Sequence, residues 1–191
     1  MGWEMIAIVS IGPVEKWLIE GILDFVGYYY SRFNLKVKFS GNLPGEPFSV
    51  ALHPSRGQYL GRVFLPTLAA LRRKIGATAI LGVTDLDLYE EGLNFIFGLA
   101  NRSLRSALIS TRRLRNEFYG LPPDDDLLLE RAIKEAMHEL GHVFGLEHCP
   151  NPRCVMHFSN SIHDTDVKGP LYCPRCEGKL KGNLRKLGVL S

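Results

Sequence analysis

Residues 138–148 read HELGHVFGLEH: a histidine–glutamate pair, a second histidine at 142 and a third at 148. On a helix His138 and His142 lie one turn apart, so both rings can reach a single metal ion. Glu139 falls one step round, where it can reach a water beside that metal but is poorly placed to be a ligand. Counting about 100° per residue from Met137, His138 falls at about 100° and His142 at about 140°, beside an apolar stripe. The ligands are therefore expected to flank the core-facing surface, not to be buried in it. Gly141 lies between the apolar and ligand faces, where a small residue permits close approach. His148 cannot follow on the same straight helix. The chain must turn after His142, and Gly145 has the backbone freedom for that. Three neutral imidazoles on Zn²⁺ leave the fourth position open, the layout of a catalytic site. The chemistry such a site allows is peptide-bond hydrolysis, with zinc as Lewis acid and Glu139 as the general base that carries the proton.

All four cysteines lie downstream, at Cys149, Cys154, Cys173 and Cys176. The paired spacing, C-x4-C and then C-x2-C, suits a closed four-thiolate zinc site. Disulfides would need an oxidising compartment. No targeting signal points to one: Glu4 stands where a signal peptide would carry Lys or Arg, and the apolar run is broken at Gly12-Pro13. No apolar stretch reaches the ~18 residues of a membrane span. The expected compartment is the cytoplasm, and the expected cofactors are two zinc ions, one catalytic and one structural. Cys149 directly follows His148, so the second zinc would also pin the third catalytic ligand. A short tail gains fold stability from such a metal, because binding free energy becomes folding free energy. His157 and His163 are spare ligand candidates, read in preference as ordinary polar residues, and Asp85 and Asp87, near the sheet end, are read as turn and cap groups in preference to a functional pair.

The elements that must position these residues follow from periodicity. Residues 4–11 read as a buried strand. Pro13 opens a helix through about Arg32, with Trp17, Leu18, Ile22, Phe25 and Val26 on its apolar face. Residues 35–40 alternate and read as a strand with one wet face. Residues 57–75 read as a second helix, with Pro66 at a kink or near a start. Residues 78–84 form another buried strand, and 93–100 and 105–111 two strands joined by a turn around Asn101-Arg102. Residues 124–145 are the longest helix. Asp124, Asp125 and Asp126 suit its N-terminus, and Leu129, Ile133, Met137, Leu140 and Phe144 make its apolar stripe. After Gly145 the pattern collapses into a Cys-, Pro- and Gly-rich segment. The element order argues for an α/β fold in which helices pack on a mixed twisted sheet. Residues 1–145 would form an N-terminal lobe with the sheet and the active-site helix, and 146–191 a small zinc-stabilised lobe.

A chain of 191 residues, 46% hydrophobic, 23% charged and at net charge +3, is an ordinary globular protein with no strong electrostatic claim on a partner. The basic runs at Arg72–Lys74 and Arg112–Arg115 are read as solvated faces, not as a nucleic-acid surface. The expected partner is a peptide or small-protein substrate, bound by a monomer with no membrane contact. A rival class is a zinc-stabilised binding protein without useful turnover. Glu139 argues against it, because a scaffold that needs only metal has no use for a glutamate beside a ligand histidine.

The motif, with Met156 in CVMHF beyond it, resembles the metzincin clan of metallopeptidases. Within that clan, the order Cys149, Cys154, Met156, Cys173, Cys176 after the third histidine is similar to the archaemetzincin family. ILGVTDLDLY (80–89), LNFIFG (93–98) and ISTRRL (109–114) are similar to that family's N-terminal half. The resemblance implies a metzincin-like fold with a catalytic and a structural zinc, and Met156 in a tight turn as an apolar floor beneath the catalytic metal. It also implies that the edge strand above the cleft, near 93–100, pairs with an extended substrate. Some members of the family resemble aminopeptidases.

Overall fold

In the computed structural model, which describes residues 4–191, the chain opens with strand β1 (Glu4–Ile11). Its run of Ile, Ala and Val is buried on both faces, as befits a central strand. Helix α1 (Lys16–Ser31) starts later than Pro13 alone suggests. Gly12 turns the chain at φ +69 and Glu15 is still extended, so the helix begins beyond them. Leu18, Ile22 and Val26 are buried, whereas Trp17 remains 38% exposed and off the apolar face.

Strand β2 (Leu35–Leu43) runs three residues past its expected end, carried by pairing with β1 across a bulge. The expected helix over 57–75 is shorter. Residues at its start form β4 (Gln58–Leu60), which pairs with β3 (Leu52–His53), and α2 (Phe64–Ile75) follows with Pro66 in its first turn. A proline there forfeits no helical hydrogen bond. The β5 strand (Ala79–Thr84) is wholly buried, and β6 (Leu88–Tyr89) joins β3 and β4 in a second small sheet.

The expected strand at 93–100 is displaced. Only Gly98–Asn101 forms β7, which pairs antiparallel with β8 (Ser106–Ser110). Ile96 instead donates its N–H to Leu88 of β6 at 3.0 Å, pulling residues 93–97 toward the second sheet. The main sheet runs β2-β1-β5-β8-β7, all parallel except β7, which is left at the edge. The mixed sheet expected from the sequence is therefore present.

Helix α3 (Asp125–Val143) lies under that edge, capped by Asp124, which accepts from the Leu127 N–H at 2.9 Å. From Arg131 to Gly141 it is buried except at Ile133, so it is a central helix, not a surface one. Its polar residues are correspondingly paired. Arg131 grips Asp166 through two bonds of 2.7 and 2.8 Å, and Lys134 donates to the Thr165 carbonyl at 3.1 Å. The tail is more regular than expected, with α4 (Ile162–Val167) and α5 (Pro174–Lys186). Val155, Met156, Tyr172, Leu180 and Leu184 from that tail share one core with β1, β5 and α1. Asp85 and Asp87 are ion-pair partners instead of caps: Asp87 takes Arg113 in a fork at 2.7 and 2.8 Å, and Asp85 takes Arg115 at 2.9 Å. The basic run at 112–115 is thus largely neutralised. Among the described residues no helix is long and apolar enough to cross a membrane.

Candidate active site

The end of α3 brings His138 and His142 onto one face, and the chain then turns back at Gly145, whose φ is +86. Here the left-handed conformation is required, and only glycine adopts it without strain. Leu146 caps the turn by donating its N–H to the Gly141 carbonyl at 2.8 Å. The turn carries His148 round to face the other two rings. The ligand atoms of His138, His142 and His148 all lie within 4.8 Å of one another.

The histidine tautomers are fixed by the backbone. His138 Nδ1 bonds to the Val155 carbonyl at 2.7 Å, and His142 Nδ1 to the Leu146 carbonyl at 2.8 Å. A carbonyl can only accept, so each Nδ1 carries the proton and each Nε2 keeps its lone pair. Those two Nε2 atoms face one another at 3.1 Å. Lone pairs that close repel unless a cation lies between them. A proton is a poor candidate for that cation. Burial holds the His138 ring well below the usual imidazole range, and the charges on Lys168 and His142 add to the effect. A divalent metal that favours nitrogen ligands fits the donor set, and zinc is such a metal.

His138 and Glu139 are each only 5% exposed, whereas His148 is exposed. The expectation that the ligands would flank the buried surface thus fails for His138. The edge strand and the tail close over α3 from both sides, which helical periodicity alone cannot show. Burial pushes the Glu139 carboxyl well above the usual carboxylate range; neighbouring Glu135 adds to this and Lys168 opposes it. A carboxylate with raised proton affinity is a competent base at neutral pH.

Two glycines permit this packing. A Cβ on Gly98 in β7 would lie 2.9 Å from Glu139 Cγ, so the edge-strand backbone runs directly against Glu139. A Cβ on Gly141 would collide with the Met156 sulfur and come within 3.0 Å of Tyr172 Cε1. Met156 is wholly buried against the helix. Its carbonyl accepts from the Cys149 N–H at 2.9 Å. Tyr172 donates to the Met137 carbonyl at 2.5 Å from beneath the same turn.

The four sulfurs of Cys149, Cys154, Cys173 and Cys176 also converge within 4.8 Å of one another, and all four thiols are free. Cys173 precedes α5 and Cys176 lies in its first turn. Burial raises the Cys173 thiol, but the Cys176 N–H and the neighbouring thiols outweigh it and bring it to about 7. Burial pushes the Cys176 thiol up. Four thiols in one place, one of them easily ionised, suit a thiophilic metal. His157 braces the cysteine segment, donating from Nδ1 to the Cys149 carbonyl at 2.8 Å.

A cleft of about 670 Å³ runs between β7 and α3 and is lined by His138, Glu139, His142 and His148. The model of peptidase family M54 matches residues 3–182. The chain belongs to this family. As an M54 member it is an enzyme of the peptidase class, and its mixed α/β architecture is metzincin-like. It is 57% identical to the archaemetzincin of Thermococcus kodakarensis over 94% of this chain and 97% of the relative. The archaemetzincin of Pyrococcus furiosus is 55% identical over 95% of this chain and 94% of its own. Among solved structures, archaemetzincin from Methanopyrus kandleri superposes with a TM-score of 0.80 at 38% identity, covering 96% of this chain and 97% of that one. A zinc-dependent peptidase from Methanocorpusculum labreanum gives 0.81 at 31% identity, covering 92% and 99%.

The M54 cleft also holds residues that the sequence reading passed over. Glu135 lies one turn before Glu139 and lines the same cleft; that spacing was visible in the sequence. Lys168 and Ser159 line it too, and no motif announces them.

Proposed function

We propose that this M54 chain is a zinc-dependent peptidase in which His138, His142 and His148 hold the catalytic metal and Glu139 is the general base. The observation that carries the reading is the pair of Nε2 lone pairs 3.1 Å apart, beside a buried carboxylate in an open cleft. When bound, zinc supplies Lewis acidity, which polarises a carbonyl and lowers the pKa of water. Glu139 takes a proton from the attacking water as the new C–O bond forms. It returns that proton to the amide nitrogen as the C–N bond breaks, so the leaving amine departs neutral. Val155 and Leu146, through their carbonyls, hold the imidazoles in the tautomer that offers Nε2. Phe95, Phe97 and Phe158 give the cleft an apolar part of its lining. The free edge of β7 would pair with an extended peptide by backbone hydrogen bonds. Met156, wedged against Gly141, would be the apolar floor of the site.

Cys149, Cys154, Cys173 and Cys176 would hold a second, structural zinc, with 146–191 as a lower lobe that it ties together. The test is Glu139→Ala assayed on a peptide library with free and acetylated N-termini. Zinc content should stay at its wild-type value while cleavage falls by about 10²–10⁴-fold. Activity that survives the change would remove Glu139 from the mechanism. Cleavage confined to unacetylated peptides would make the enzyme an aminopeptidase.

A further inference from the structure

Besides Glu139, two charged residues line the catalytic cleft yet are almost wholly buried: Glu135 at 3% exposure and Lys168 at 1%. Burying an ammonium is costly unless its donors are well used. Those of Lys168 are not. Nζ reaches the His157 carbonyl at 3.3 Å and Glu135 Oε1 at 3.4 Å, both long for charge-assisted bonds. With three N–H donors, the ammonium keeps spare capacity. Glu135 does not depend on Lys168 alone, since Oε1 also accepts from Thr165 Oγ1 at 3.2 Å.

A second observation comes from the same stretch of tail, two residues beyond His157, whose carbonyl Lys168 reaches. Ser159 Oγ is buried without any hydrogen-bond partner, alone in this among the buried side-chain polar atoms of the described residues. Ser159 also lines the cleft, next to Asn160. Ser159 and Lys168 both line one cavity, and their hydroxyl and under-used ammonium form an incomplete set of donors. Native proteins rarely leave such groups unpaired without a reason. The Lys168 charge is also felt by His138, His142, His148 and Glu139, which puts it within electrostatic reach of the reacting groups.

We propose that Lys168 and Ser159 receive a carboxylate of the peptide substrate, from an acidic side chain or from a C-terminus. The inference rests on the peptidase reading above. The charge balance agrees. The two inner carboxylates, Glu135 and Glu139, and one ammonium leave a negative interior, and a divalent ion at the histidines turns it net positive by one charge. Among the other lining residues Glu90 is ion-paired with Arg62 at 3.1 Å, and Arg102 adds a further positive charge. An anion entering the metal-loaded cleft is therefore compensated, and it fills the donors that the protein leaves idle. A purely structural Lys168–Glu135 pair would explain the burial but not the orphaned hydroxyl of a residue that lines the same cleft.

The experiment uses matched peptides: Glu against Gln scanned through each position, and a C-terminal acid against its amide. Cleavage is followed with the zinc-loaded full-length protein. Binding of fluorescent versions to the Glu139→Ala protein is measured in parallel by anisotropy. The wild type should favour the carboxylate peptide about tenfold in kcat/KM, and the Glu139→Ala protein should favour it by a similar factor in Kd. The peptide pair that shows the preference names the source of the carboxylate. Ser159→Ala strands no partner and should reduce the ratio severalfold. Lys168→Met alone would strand Glu135, so it is combined with Glu135→Gln; this double variant should bring the ratio to about one. Equal treatment of acid and amide by the wild type overturns the proposal. So does a preference that survives the double variant, or an equal loss on both peptides, which would mark Lys168 as structural only. If no peptide is cleaved but the carboxylate preference in Kd persists and needs Lys168, the peptidase reading fails and this one stands.

Discussion

The histidine and cysteine clusters meet at the His148–Cys149 peptide bond but are built on opposite plans. Two of the three histidines come from one helix, and the third arrives after a single turn at Gly145. Their cluster opens on the cleft. The four sulfurs come from separated stretches of the tail, two before α4 and two at the start of α5, and none of them lines that cleft. The histidine geometry is held by helix backbone and by carbonyl acceptors that exist whether or not metal is bound. The cysteine geometry has a thinner frame: short elements, a share of the core, and bonds such as that from the Cys149 N–H to the Met156 carbonyl at 2.9 Å. The lesson is that one site would be organised by the fold, whereas the other would organise it.

The largest expected effect breaks that asymmetry open. Cys176→Ser should abolish the proposed structural zinc and loosen the tail. The histidine site should go with it, because Cys149 and Val155 anchor His148 and His138. Structural zinc contributes about 10–16 kcal/mol to small domains, as much as a typical protein's whole stability. Elemental analysis should give zinc falling from two per chain toward none, with a large drop in Tm. The reciprocal change, His138→Ala with His142→Ala, should take zinc only from two to one. Its stability cost should be the unpaired Val155 and Leu146 carbonyls, roughly 1–3 kcal/mol each. Equal losses from both variants would mean that the two sites are not organised differently.

The same asymmetry decided what could be read from the sequence. His138, Glu139, His142, Gly145 and His148 are close in the chain, and helix geometry alone converts their spacing into a shared point. The cysteine pairs announce themselves by spacing too, although α4 and α5 do not: each is short, and α5 is rich in Gly and Lys. The cleft wall was illegible for a different reason. Ser159 and Lys168 reach α3 across 24 or more residues of chain from Glu135, and only the tertiary fold makes them neighbours. The displaced edge strand has the same cause. Nothing local tells Ile96 to pair with Leu88 rather than continue β7.

Two glycines on helices allow a finer cut. Gly141 belongs to the histidine region and Gly178 to the cysteine region, in α5. Gly141→Ala should push Met156 and Tyr172 out of their packing, at roughly 1–3 kcal/mol, the usual cost of overpacking a core. A lower Tm and weaker zinc retention at the histidine site would show that the glycine keeps the two sides of that site together. A silent Gly141→Ala would mean that Met156 has room to move and is no fixed floor.

Gly178 is the counterpart with the opposite sign. A Cβ there meets nothing within 4 Å, and the residue is exposed in mid-helix. Its only effect on stability should be conformational. Gly178→Ala removes backbone freedom from the unfolded chain and should stabilise by about 0.5–1 kcal/mol. That gain should appear in the metal-loaded protein and shrink when zinc is chelated. The reason is that α5 is short, and a helix of 13 residues is marginal without tertiary anchoring. If zinc at Cys173 and Cys176 supplies that anchoring, propensity counts only while the metal holds the helix start. A full gain in the chelated protein would show that α5 folds against the core through Leu180 and Leu184 unaided, and the cysteine site would then be following the fold, not organising it.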